Sequence, residues 1–214
     1  MDITWLGHAC IRVRTHQTAV VMDPCDKTSG FDIGRPAADI VTVSNPSPLH
    51  SHVRGVRGDP IAINGPGEYE IGGVQITGVS TYLAPPEENS PADSNTAFVL
   101  ESEDLQLVHV GGLGAPLTAE QIEQLSSADV LVLPIGGGST LEADEAARLV
   151  RALEPSLVIP VHYPIDGVGD GDQEALQKFA TSVGLEAAEP VARASINRRG
   201  LGDTLQLLLL TPRT

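Results

Sequence analysis

Between residues 3 and 110 the chain is cut into short apolar or alternating runs, most of four to six residues, each closed by Gly, Pro, Asn or Asp. That spacing restricts this part to a sheet-rich fold, because the runs are too short for helices and match the length of strands. The predicted strands are 3–6, 10–14, 19–22, 40–43, 61–64, 74–79, 96–100 and 105–110, the last two joined by a hairpin turn at Glu103-Asp104. From residue 118 the period changes. Thr118 to Gln121 is a capping box whose helix should end near Ser126, followed by a buried strand at 130–133. Ser139 to Glu142 reads as a second capping box, leading into a helix with Leu141, Ala146, Leu149, Val150 and Leu153 on its apolar stripe. A strand at 157–161, a helix at 172–183 closed by Gly184, and a last strand at 205–210 complete the pattern. Residues 84–94 are Pro- and acid-rich and read as a loop. With no repeat and no linker composition, residues 1–214 read as one layered α/β (α+β) domain.

Charge narrows the function classes. The chain carries 28 Asp+Glu against 13 Lys+Arg, a net charge of −15, and Lys27 and Lys178 are its only lysines. Such a surface repels a phosphate backbone, so nucleic acid and anionic membrane are excluded as expected partners. Three Phe, three Tyr and one Trp leave no stacking platform for bases and make Val, Leu, Ile and Ala the core builders. No apolar run approaches the roughly 20 residues of a spanning helix, and the first ten residues lack a signal-peptide pattern, which together predict a cytoplasmic protein. Cys10 and Cys25 form no Cys-x-x-Cys pair and are read as small buried hydrophobes.

Chemistry concentrates in the histidines. Of six, His8, His50, His109 and His162 fall at or just after predicted strand ends, where side chains from distant sequence converge on a site. His16 and His52 are expected to be solvated. Gly136-Gly137-Gly138-Ser139 is read as a turn ahead of a helix whose first turn already holds Glu142 and Asp144, acids that complement the dipole and leave no call for a phosphate.

The segments WLGHAC, VVMDP, GPGEYEIGGVQITGVSTY, HVGGLG, DVLVLPIGGGST and VIPVHY, in that order, resemble the metallo-β-lactamase fold. Within it they are similar to a branch of small zinc-dependent hydrolases related to the ascorbate-6-phosphate lactonases. The resemblance implies a four-layer αββα sandwich with two metals at the sheet edges. It also implies a ligand set: a His-x-His-x-Asp-His loop, a histidine after the strand ending Ser80-Thr81-Tyr82, a bridging aspartate after His109-Val110-Gly111, and a histidine in the last Pro-x-His-Tyr strand. At those positions this chain has Asn45, Ser47, Leu49 and His50, then Leu83, then Gly112, then His162. Five of the seven ligands are replaced. His8, His109 and Tyr163 keep the identity the resemblance leads one to expect, and Asp23-Pro24 is read as an orienting or turn element.

Two functional readings follow. In the first, the dinuclear site has been dismantled, no metal or other cofactor is bound, and the pocket or a sheet edge binds a small molecule or a protein partner. In the second, the chain is a mononuclear-metal hydrolase of a small ester, lactone or phosphoester, with one zinc ion on His50 and His162, to which His8 and His109 could add nitrogens. Either way Asn45, Ser47, Leu49, His50, Leu83, Gly112 and His162 should surround one cleft, closed by the leucines and open at Gly112. His50 and His162 are expected neutral, bonded to each other, to Asn45 or to water.

Overall fold

Most strands and helices follow the apolar pattern of their residues and can be placed in chain order. The strands are β1 (Asp2–Gly7), β2 (Cys10–Arg14), β3 (Ala19–Met22), β4 (Ile40–Thr42), β5 (Ile61–Ile63), β6 (Gly67–Ile71), β7 (Val74–Tyr82), β8 (Ser94–Ser102) and β9 (Leu105–His109). Helix α1 (Ala119–Leu125), β10 (Val130–Pro134), α2 (Ala143–Leu153), β11 (Leu157–Val161), α3 (Ala175–Val183), β12 (Ala194–Ser195) and β13 (Gln206–Leu207) follow. The computed structural model describes residues 1–85, 93–165, 167–169 and 171–213. Most of the loop expected at 84–94 lies outside them.

Two sheets result, ordered β12-β1-β2-β3-β4-β5 and β13-β11-β10-β9-β8-β7-β6. In the first, alternate residues such as Ile3, Trp5, Ile11 and Val13 are buried. In the second, β10 and β11 are buried along their whole length, as strands covered on both faces must be. One core joins the two: Trp5, Ile11, Met22 and Ile40 from the first sheet cluster with Phe98, Leu107, Leu131 and Ile159 from the second. Strands β9, β10, β11 and β13 are parallel, and each step between them passes through one of the three helices. Parallel strands need such crossovers, so the helices layer onto the second sheet. The outer face of the first sheet is packed by a separate cluster, including Leu6, Cys10, Cys25, Phe31 and Val41, under loops and the 3-10 turns Lys27–Ser29 and Val53–Gly55. This is the two-sheet sandwich with helices that the sequence predicts. Both cysteines are free and buried, as expected, and burial raises both thiols above their ordinary range.

Several boundaries differ from expectation: α3 starts at Ala175 rather than at 172, β7 runs on to Tyr82, and β12 was not expected. Helix α2 starts at Ala143, and the Glu145 carboxylate accepts from the Glu142 N–H at 3.2 Å. Ser139 instead lies in a turn in which Gly137 and Gly138 have positive φ and Thr140 N–H donates to Gly137 O, a backbone path no helix can follow. Gly65-Pro66 turns the chain, but Gly67 already opens β6, which the sequence reading treated as part of the turn. The apolar run 205–210 pairs only at Gln206–Leu207, with an isolated bridge from Leu210 to Val191.

Candidate metal centre

Chain direction decides where the site forms. Strands β1, β3, β4, β7, β9 and β11 each end on His8, Asp23, Ser44-Asn45, Leu83, His109 to Gly112, and His162 respectively, at or within a few residues of the last paired position. Carboxyl ends of strands in open sheets are where ligand sites collect. A cleft of about 710 Å³ lined by Glu70, Glu101, Asp104 and Arg198 lies at the other ends of β7, β8 and β9 and shares no residue with this cluster.

His8, His50 and His162 meet between the sheets. Ring centroids are 3.9 Å apart for His8 and His162, edge to face, 5.0 Å for His8 and His50, and 6.2 Å for His50 and His162. Each imidazole is held differently. His50 Nδ1 lies 2.7 Å from Asp23 Oδ2, and the same carboxylate accepts from Ser44 N–H at 2.7 Å and from Ser44 Oγ at 2.6 Å. His162 Nδ1 lies 3.2 Å from Thr140 Oγ1. His8 has neither ring nitrogen hydrogen-bonded among the described residues, although both are buried. Its main chain is tied instead, because His8 O accepts from Trp5 Nε1 at 2.8 Å and from His162 N–H at 3.0 Å.

Electrostatics follow from this burial. Desolvation pushes His8 down to about 2, helped by charge on His162 and His50, while a contact with the Leu49 main chain, outside full hydrogen-bond geometry, opposes it. Burial and His50 push His162 down to about 3, with Asp23 opposing. For Asp23 burial alone would raise the carboxyl, but His50, its hydrogen bond, His109 and Ser44 outweigh it and hold the group below the usual carboxylate range. His8, Asp23 and His162 also share a rare backbone state, with φ of 51°, 50° and 51°. Positive φ at a non-glycine residue costs on the order of 1–3 kcal/mol, and an unpartnered buried polar group a similar amount. Arg35, Asp59, Glu103, Asp104 and Glu154 share this state in turns and at a helix end, so what distinguishes the three is their convergence at one place.

The other predicted residues divide. Gly112 belongs to the cluster but is not open space: a Cβ there would stand 2.9 Å from Asn45 Nδ2, 3.0 Å from Leu83 Cδ2 and 3.3 Å from His50 Cε1. The expected opening is therefore filled by Asn45 and Leu83. His109 is withdrawn from any ligand role, because its Nε2 lies 2.9 Å from Ala9 O and its Nδ1 accepts from Gly111 N–H. Ser47 shapes its loop, giving its N–H to Asn45 Oδ1 and accepting from Leu49 N–H, and Leu49 is half-buried. Tyr163 packs into the core against Trp5, 5.2 Å between centroids, and burial pushes its hydroxyl up to about 12. The expected partners of His50 and His162 are corrected as well: Asp23 and Thr140, not each other or Asn45. Asp23 orients, as read; Ser44 and Thr140 were missed, since a lone hydroxyl in a loop carries no sequence signal. Asn95 was missed too. Its Nδ2 donates to Val110 O and its Oδ1 accepts from Gly112 N–H, which fixes the turn after β9. His16 is exposed and pairs with Glu103.

A model of the beta-lactamase superfamily domain matches residues 2–162. The chain belongs to the metallo-β-lactamase superfamily. A metal-dependent hydrolase of Natranaerobius thermophilus is 26% identical over 207 residues, covering 83% of this chain and 90% of its own. One from Methanopyrus kandleri is 26% identical over 228 residues, covering 87% and 94%. The crystal structure of a metallo-β-lactamase-superfamily protein of Thermotoga maritima superposes with a TM-score of 0.77 at 28% identity, covering 98% of this chain and 97% of that one. Against the superfamily's two-metal pattern, the positions filled here by Asn45, Ser47, Leu49, Leu83 and Gly112 offer no imidazole and no carboxylate, and the space beside Gly112 is taken. Two ions do not fit. Among the described residues, no group of three His, Cys, Asp or Glu side chains stands ready-arranged around an ion.

Proposed function

We propose that this protein is a hydrolase of the metal-dependent type working with a single ion, its retained ligands being His50 and His162. The observation that carries the reading is how those two rings are held. Each has Nδ1 engaged, His50 by a buried carboxylate and His162 by a hydroxyl, and neither Nε2 has a protein partner among the described residues. A histidine fixed through one nitrogen by a carboxylate or hydroxyl is the arrangement that orients the other nitrogen toward a metal. The relatives' description as metal-dependent hydrolases supports the same reading.

A bound divalent ion would polarise a carbonyl or phosphoryl oxygen and make water acidic enough to attack at neutral pH. The protein's own part is positioning. Asp23 fixes the His50 ring, and its charge offsets the cation. A cleft of about 400 Å³ adjoins the centre at Ser44 and Asn45, and its walls, which include Asn64, Ser80, Asn95 and Thr96, offer uncharged donors and acceptors suited to a small ester or lactone. The replaced ligands keep a second reading in play, a metal-free pocket that binds a small molecule. Purified protein should hydrolyse p-nitrophenyl acetate or a simple lactone only when zinc or cobalt is supplied, and His162→Ala should abolish turnover. Metal-independent binding with no turnover would favour the second reading instead.

A further inference from the structure

We propose that His8 is the third ligand of this ion, so that the chain has rebuilt a three-histidine centre from His8, His50 and His162. The inference rests on the single-metal reading and extends it with a residue outside the superfamily's ligand pattern. Four histidines are buried here, and three of them have a ring nitrogen engaged by Asp23, Thr140 or main chain. His8 alone has none, at 3% exposure. A buried imidazole with both nitrogens unsatisfied calls for a partner that the protein itself does not provide.

The backbone directs the ring to the cluster. His8 occupies the two-residue turn between β1 and β2 at positive φ, with its carbonyl fixed from both sheets by Trp5 Nε1 and His162 N–H. The ring is thereby kept against His50 and His162. Three imidazoles sharing a tetrahedral ion, each bonded at 2.0–2.1 Å, have ring centroids roughly 5 Å apart. The 5.0 Å between His8 and His50 matches that value, while 3.9 Å and 6.2 Å depart from it by about 1 Å, so the rings must shift to share an ion. Loading the ion would draw His8 off the edge of His162. An all-imidazole set selects a borderline cation such as zinc or cobalt(II) over magnesium or calcium, which require oxygen. Three protein nitrogens also reach the ligand number usual for catalytic zinc, leaving one position for substrate or water.

Cobalt(II) titration of the metal-free full chain tests this through its visible d–d absorption. Wild type should take up one ion per chain. His8→Asn, in which asparagine tolerates the positive φ, should weaken affinity at least tenfold and change the absorption, while His16→Asn should match wild type. Histidine ring nitrogen NMR of the wild type during zinc titration gives a reading free of any folding defect, since a His8 nitrogen should shift by one equivalent. If wild type binds cobalt, the His8 ring does not respond and His8→Asn binds equally well, the inference fails and the two-histidine reading survives. If wild type binds neither ion, both fail.

Discussion

Asp23 stabilises through geometry that a substitution can isolate. Its carboxylate is fully buried, at positive φ, and carries the hydrogen bonds of His50 and of both Ser44 donors. Asparagine keeps the size and tolerates the backbone but removes the charge and turns one acceptor into a donor facing Ser44 or His50. Asp23→Asn should therefore lower stability by about 2–3 kcal/mol in a denaturant titration, the loss expected of a buried charged hydrogen bond. It should also weaken metal binding about 10–100-fold, as removal of an orienting carboxylate does. Gly112 argues the opposite way. Restoring an aspartate there should not restore a second metal, because its Cβ already overlaps Asn45 and approaches Leu83. Gly112→Asp is expected to cost about 1–3 kcal/mol through overpacking, seen as a fall in Tm, with metal stoichiometry still no higher than one.

At the scale of elements, α2 separates what local pattern predicts from what the turn before it permits. Ser-x-x-Glu at Ser139 has the composition of a capping box, yet the glycine turn at 136–138 delays the helix until Ala143. Glu145→Ala removes the carboxylate that accepts from the Glu142 N–H and should cost about 0.5–1 kcal/mol, whereas Ser139→Ala should be nearly silent. Equal effects in thermal melts would contradict the observed start. At α1 the local signal suffices: Thr118 Oγ1 accepts from Gln121 N–H and Gln121 Oε1 from Thr118 N–H, as the sequence predicts. Here no strained turn competes for the same residues.

For the whole molecule, the buried imidazoles couple folding to pH. Unfolded histidines titrate near 6.5, whereas His8 and His162 in the fold are pushed down to about 2 and about 3. Below pH 6.5 the unfolded chain therefore binds protons that the fold refuses, so stability falls as pH falls and the loss ends only near the folded values. Each histidine contributes on the order of 1.4 kcal/mol per pH unit within that window. Asp23, held below its unfolded value, adds a loss in the same direction once the pH drops under about 4. Metal-free protein should show a Tm that is level from pH 7 to 9 and declines steadily below 6.5. The double variant His8→Asn with His162→Asn should flatten that decline, and an unchanged slope would show that these rings titrate freely.

The sequence by itself determined the elements and the family. Runs such as 10–14, 19–22 and 157–161 are strands because their apolar periods permit little else, and the order of segments from WLGHAC to VIPVHY implies that His50 and His162 share one site. It also showed that Asn45, Ser47, Leu49, Leu83 and Gly112 bring neither imidazole nor carboxylate, since that is a property of composition. Only the tertiary structure decided what surrounds His50 and His162. His8, Asp23 and Thr140 lie 42, 27 and 22 residues from the histidines they serve, so no local period or spacing links them. The same distance concealed that His109 is spent on Ala9 and that Asn45 and Leu83 fill the space beside Gly112. Secondary structure is set by neighbours along the chain, whereas the partners of a buried polar atom are set by which strand ends the packed sheets bring together.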